Sequence, residues 1–328
     1  MAEKKNKIEW LAVLQGFSML LVVIGHVSLT NQPGDPATPI ATGIERAIYT
    51  FHMPLFIFIS GWLFYYTCIS RGKSYKEMLI SKATRLAVPF LAFTLVTMAL
   101  KMAMPHLMKR AVDLEEIVNT FILFRSNPLG EMWFIVVLFE LMLMYPVYKL
   151  IAKNRVSAII GLGGAFLINT FTPSISYFNM GKVAYMLPFF VAGILCSRFE
   201  WQKLFGKTWF LLVITALFIA CNVMGLLPSS MNAETALIGT FFSMSLCLIM
   251  GRCFPDLFSS FRDYTFQIFL MGIFFQMAIR LIYVRMDNEI LFVPMWLLSV
   301  VIGVYVPVLI AKGIQKYAPK YVRMCFGL

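Results

Sequence analysis

The sequence predicts an all-α, polytopic transmembrane helical bundle of about ten spans with both termini cytoplasmic, and three observations carry that reading. Of the 328 residues, 60% are hydrophobic and only 13% charged, with a mean hydropathy of +0.79, whereas a soluble domain carries about a quarter charged residues. The apolar residues gather into stretches approaching the roughly 20 that a helix needs to cross the hydrocarbon core. Lysines and arginines fall between those stretches, mostly on alternate connections.

Spans are expected near 9–29, 47–69, 86–104, 132–150, 157–172, 183–197, 208–225, 235–251, 265–283 and 291–311. The run from Ile8 to Leu29 is too long for the apolar core of a signal peptide, and no small-residue cleavage site closes it, so it reads as a retained first span. Gly161, Gly163 and Gly164 are expected to let helices approach closely, and Pro173 marks a turn. The segment 105–130 contains VDLEEIVNTFILF, in which Val112, Ile117, Val118 and Phe121 fall near helical spacing beside acids, the pattern of a short interfacial helix. Neither a repeat nor a low-complexity tract is visible, and 1–328 reads as a single integral membrane domain.

Orientation follows from the basic residues. With the N-terminus inside, the cytoplasmic segments hold Lys4, Lys5, Lys7, Arg71, Lys73, Lys76, Lys82, Arg85, Lys149, Lys153, Arg155, Arg198, Lys203, Lys207, Arg252, Arg262, Lys312, Lys316, Lys320 and Arg323, which is 20 of 28. The net charge of +12 is thus spent on topology, and no basic face remains for nucleic acid. The six cysteines form no C-x-x-C pair and read as small apolar core residues.

Ionisable groups inside spans are costly and are functional candidates by default. Positions 12, 15, 18, 22 and 26 share one helical face, and here they hold Ala12, Gln15, Ser18, Val22 and His26. Gln15 and His26 are separated by about 16 Å along the axis. His52 opens the second span in TFHMPLFIFISGWLF, beside Pro54, at the outer level expected for His26. Imidazoles at one depth on consecutive spans point to proton transfer; a membrane histidine also serves as a packing residue bonded to a backbone carbonyl. His106 reads as an exposed loop residue, and three histidines without acidic spacing do not make a metal site. Lys82 and Arg85 enter the third span from the cytoplasm, either as anchors or as a cradle for phosphates. Glu131 and Trp133 begin the fourth span at the outer face. Glu140 and Arg280 read as partnered structural charges.

The stretches IEWLAVLQGFSMLLVVIGHV, FHMPLFIFISGWLF, SKATRLAVPF and EMWFIVVLFELMLMYP together resemble the acyltransferase family 3 of integral membrane enzymes. The likeness is strongest to a branch resembling fucose 4-O-acetylases, and order and spacing agree through the first 150 residues. The resemblance implies transfer of an acyl group, usually acetyl, from cytosolic acyl-CoA to a hydroxyl of an extracytoplasmic or lipid-linked cell-surface glycan, in the bacterial cytoplasmic membrane. It assigns His26 and His52 to catalysis and Lys82 and Arg85 to donor binding, with Gln15 beside them. Ser18, Glu131 and Trp133 are the acceptor-binding candidates. Three positions depart from the family pattern: Ala12 and Gln15 replace an acid and a base, and Gly272, after YTFQIFL, replaces a histidine. Acyl-CoA is the donor substrate, no metal is expected, and the partners are the glycan acceptor, membrane lipids and a second copy of the chain. Two other classes fit the same spans: a transporter of a polar small molecule, and a catalytically degenerate family member.

Overall fold

The computed structural model describes residues 2–27, 29, 39–103, 114–124, 126–173, 175–223, 233–286 and 288–328. His106 and Val112 lie outside these residues. In chain order the helices are α1 (Ala2–Gly25), α2 (Pro39–Phe64), α3 (Tyr75–Ala103), α4 (Leu114–Phe121), α5 (Trp133–Leu143), α6 (Tyr145–Ile151) and α7 (Arg155–Phe171). There follow α8 (Met180–Phe199), α9 (Gln202–Phe205), α10 (Thr208–Val223), α11 (Ala233–Cys253), α12 (Thr265–Met286), α13 (Phe292–Tyr317) and α14 (Lys320–Cys325). No strand occurs among the described residues. A π-helical turn, Tyr65–Ile69, extends α2.

Each expected span falls on a helix, but not every helix is long and apolar enough to cross a membrane. Among the described residues six meet that test, ending at Ile69, Ala103, Phe199, Cys253, Met286 and Tyr317, and a bent pair made by α5 and α6 brings the count to seven. The apolar parts Glu9–Gly25, Arg155–Phe171 and Thr208–Asn222 are shorter. At about 1.5 Å per residue, 17 residues reach only about 25 Å. The span expected over 132–150 is not continuous: the helix axis bends by 60° at Met144. Pro146 explains the break, since it lacks an N–H and starts a helix better than it continues one.

α3 begins at Tyr75 rather than near residue 86 because Ser74 and Glu77 form a capping box. Ser74 N–H donates to Glu77 Oε2 at 2.8 Å and Glu77 N–H donates to Ser74 Oγ at 3.2 Å. Lys82 and Arg85 therefore sit two turns inside the helix. Asn154 and Ser157 start α7 by the same reciprocal bonding. The short α4 appears within the segment where an interfacial helix was expected, and Lys101 Nζ pairs with its Glu116 at 3.2 Å.

Two compact units divide the chain: residues 1–59 with 201–318, and residues 60–200 with 319–328. In the first, Met19, Val22 and Val23 of α1 pack with Phe261, Ile268, Val304 and Val308. There α13 shows how one helix serves two media: Gly303, Val304, Pro307, Val308 and Ala311 are buried, while Val293, Leu297, Val301, Tyr305 and Leu309 form an exposed stripe at four-residue steps. An apolar stripe of that length suits lipid rather than water. The second unit is built around Phe64, Tyr145, Tyr148 and Phe190, whose rings meet at centroid distances of 5.2–6.2 Å.

Close backbone approach is set by particular glycines. A Cβ at Gly61 would strike the Phe190 carbonyl oxygen, and one at Gly239 would strike the Phe51 ring. Gly161 meets Ile151 in the same way, at 2.5 Å, whereas Gly163 and Gly164 face open space; of the three expected packing glycines, one serves helix approach. Gly61→Ala is therefore expected to destabilise the protein by about 1–3 kcal/mol through overpacking. Gly163→Ala should be neutral or stabilising by up to about 1 kcal/mol through helix propensity. Thermal unfolding in detergent distinguishes them; equal midpoints would remove the Gly61 contact from the account.

Candidate functional site

α1 ends at Gly25, and His26 follows in a turn. Its backbone N–H donates to Val22 O at 3.0 Å, and its Nδ1 lies 2.8 Å from the same carbonyl. His52 repeats the arrangement inside α2, with Nδ1 2.9 Å from Ile48 O. A carbonyl only accepts, so in each ring Nδ1 carries a proton. The bland role foreseen for a membrane histidine is thus present in both. It occupies Nδ1 of each ring.

The structure brings these two histidines together. Their centroids are 5.9 Å apart and the rings stand edge to face at 79°. Tyr49 completes the group, 4.9 Å from His52 and 5.9 Å from His26. It lies three residues before His52, on the same face of α2, and that spacing is the signal by which it was discoverable. Exposure is graded across the cluster: His52 is 2% exposed, His26 half-buried and Tyr49 45% exposed. The group is therefore closed on the His52 side and reachable past Tyr49.

Two further residues hold this end of α1. Gly25 lets α2 approach, since a Cβ there would lie 3.2 Å from Ile48 and 3.5 Å from Tyr49. Gln276 of α12 donates from Nε2 to Val23 O at 2.8 Å and is buried. Val22 O and Val23 O belong to the last turn of α1, where carbonyls run short of helical donors, and Val22 O also receives the His26 backbone N–H. His26 and Gln276 satisfy them. Gly303 makes room for Gln276, its added Cβ falling 3.0 Å from Gln276 Cγ, and Gly272 rests against Gly303 O. Gln276 was not foreseen, because nothing local in FFQMAIR distinguishes it.

The stripe below His26 is interrupted. Gln15 is half-buried, but Ser18 is fully buried and its Oγ donates to Leu14 O at 2.6 Å. Val22 belongs to the apolar cluster. Between Gln15 and His26 the face therefore presents no polar group that is not already turned onto its own helix.

The remaining candidates lie in the second unit. Lys82 is half-buried, with Nζ 5.9 Å from the Phe64 centroid, and Arg85 is exposed one turn on. Tyr145, whose ring also meets Phe64, donates its hydroxyl to Lys73 O at 2.5 Å. A cation over a ring gains about 0.5–1 kcal/mol at exposed sites and keeps its charge for another partner. Trp133 is half-buried under the Lys182 ammonium, 4.6 Å from its centroid, and Glu131 sits in the 3₁₀ turn Gly130–Met132 just before it. Lys182 was not foreseen as a member of this group. For Glu140, expected to be partnered, Oε2 is buried and has no hydrogen-bond partner among the described residues. Its α5 neighbours Ile135, Val137, Leu138, Leu141 and Met142 are buried and apolar and supply no side-chain donor. Among the described residues no group of three or more His, Cys, Asp or Glu gathers as a metal site.

A family model described as an acyltransferase domain matches residues 8–312. Among curated proteins, the nodulation protein NolL of Mesorhizobium japonicum (strain LMG 29417 / CECT 9101 / MAFF 303099) is 29% identical over 202 residues, covering 60% of this chain and 49% of that protein. The chain thus matches about half the length of this relative. No solved structure matches.

The Gln276 contact gives a test of the site's scaffold. Gln276→Leu leaves Val23 O unmet in an apolar surrounding and is expected to cost about 1–3 kcal/mol, read as a lower midpoint of thermal unfolding. An unchanged midpoint would mean that Val23 O finds another donor.

Proposed function

The chain belongs to the family of acyltransferase domains, and from that premise we propose that it is a membrane O-acyltransferase. The donor is an acyl-CoA, with acetyl-CoA as the first choice. The acceptor is a hydroxyl of an extracytoplasmic or lipid-linked cell-surface glycan, as in the branch resembling fucose 4-O-acetylases. The proposed setting is a bacterial cytoplasmic membrane crossed about ten times with both termini inside. Basic residues at one end of alternate helices support that orientation. The three shorter apolar helices cross by local thinning of the bilayer, at a cost of fractions of a kcal/mol per Å of mismatch.

The observation that carries the reading is the paired, Nδ1-anchored imidazoles. A sugar hydroxyl is too weak an acid to attack a thioester unaided, and a positioned base contributes about 10²–10⁴ in rate. His26 is the base. Its Nε2 takes the hydroxyl proton as the oxygen forms a bond to the thioester carbonyl carbon. The carbon–sulfur bond then breaks, and the CoA thiolate leaves with a proton. His52 is given the positioning role, because its ring N–H is spent on Ile48 O and its Nε2 can accept from a second hydroxyl of the acceptor sugar, beside the one that reacts. Lys82 and Arg85 bind the CoA phosphates as charge partners. Gln15 is kept with the donor and Glu131 and Trp133 with the acceptor, while Ser18, its hydroxyl turned onto Leu14 O, is not given to the acceptor.

His26→Ala is expected to lower acyl transfer from labelled acetyl-CoA by at least about 100-fold without unfolding the protein. Mass spectrometry of surface glycans should show the modification lost. Glycans that remain acylated in cells carrying only this variant would sink the assignment. Lys82→Gln with Arg85→Gln should abolish the protection that acetyl-CoA gives the purified protein against heat, while leaving the unliganded midpoint in place.

A further inference from the structure

The second unit carries an apolar groove of about 370 Å³, formed where α5 and α6 break and α7 and α8 pass beside them. Tyr148 and Ile151 of α6, Ile160 and Gly164 of α7, and Leu187 and Val191 of α8 are among its walls. Gly164 forms an open part of the floor, since a Cβ there would meet nothing within 4 Å. Along α7 the lining runs from Ser157 to Ile168, which is about 16 Å of helix. That is half of a hydrocarbon core of about 30 Å, the depth of one leaflet.

The two ends of the groove differ in charge. At the Ser157 end stand Lys149, Lys153 and Arg155, and Arg198 Nε donates to Ala152 O at 3.0 Å beside the lining residue Ile151. No acidic residue occurs between Leu141 and Phe199. The walls toward Ile168 and Leu187 are aliphatic. An apolar slot one leaflet deep beside a run of basic residues on an acid-free stretch of chain matches the chemistry of one lipid class.

We propose that this groove binds an anionic phospholipid, one acyl chain lying along the α7 face and the phosphate held by Lys153, Arg155 and their basic neighbours. The break at Met144 and the missing side chain at Gly164 make the room, and the cations choose the headgroup. The site is independent of the histidine cluster and of the acyl-transfer reading.

The test is native mass spectrometry of the full-length protein, purified in detergent and given equal amounts of phosphatidylglycerol and phosphatidylcholine with identical tails. Phosphatidylglycerol is expected to be retained over phosphatidylcholine, by about fivefold for each cation engaged. Lys153→Gln with Arg155→Gln should bring the two lipids toward equal retention. Gly164→Leu should reduce total retained lipid, whereas Gly163→Leu, one residue off the groove, should not. Equal retention of the two lipids by the unmodified protein overturns the proposal. So does retention by Gly164→Leu at the unmodified level, or a protein dimer that excludes lipid and is lost in Gly164→Leu. The matched Gly163 variant separates a filled groove from a destabilised helix.

Discussion

The constraint on which the rest of the structure depends is that a backbone carbonyl in an apolar medium must find a donor inside the protein. Within the helices the hydroxyl side chains obey the same rule by turning back on their own turn. Ser18 bonds Leu14 O, Thr97 bonds Phe93 O, Thr240 bonds Ala236 O and Ser243 bonds Gly239 O. These groups are thereby made nearly apolar toward their neighbours. Polar chemistry is left to the places where a helix ends or breaks and orphan groups accumulate. The end of α1 is the clearest case, for the donors that satisfy Val22 O and Val23 O are His26 and Gln276. The imidazole of His26 is thereby turned onto the end of its own helix, with Nδ1 against Val22 O.

The same requirement explains why small residues cluster around the site. Gln276 reaches Val23 O only because Gly303 leaves space beside its side chain and Gly272 lets α12 lie against α13. Gly25 lets Tyr49 and Ile48 come against the end of α1. Position 272 departs from the family pattern, where a histidine is common. In this chain it serves packing: a side chain there would meet Gly303 O and disturb the seat of Gln276.

What the sequence made readable follows from how local each signal is. The apolar runs showed where helices lie, because hydropathy is a property of single segments. The start of α3 was misjudged because its polar cap, Ser74 with Glu77, precedes the apolar run, although the pair carries the spacing of a capping box. The break at Met144 was hidden because an apolar run around Pro146 continues without a change of composition. The two histidines were visible through their flanking motifs, whereas Tyr49 was not singled out, its one local signal being a three-residue offset from His52. Gln276 was not visible, since its bond to Val23 spans 253 residues and no periodicity encodes such a pairing.

The absent charges at positions 12 and 15 acquire a physical meaning from the tautomer. A carboxylate that orients an imidazole also stabilises its cation, whereas a carbonyl orients it and supplies only a partial negative charge. His26 and His52 are both oriented by carbonyls. With Ala12 and Gln15 in α1, neither position supplies the acid or the base usual there. On the acyl-transfer reading, His26 takes the hydroxyl proton and returns it to the departing thiolate. Gln15 keeps a hydrogen-bonding group at its position without adding a second cation to a helix that must already host the charged intermediate.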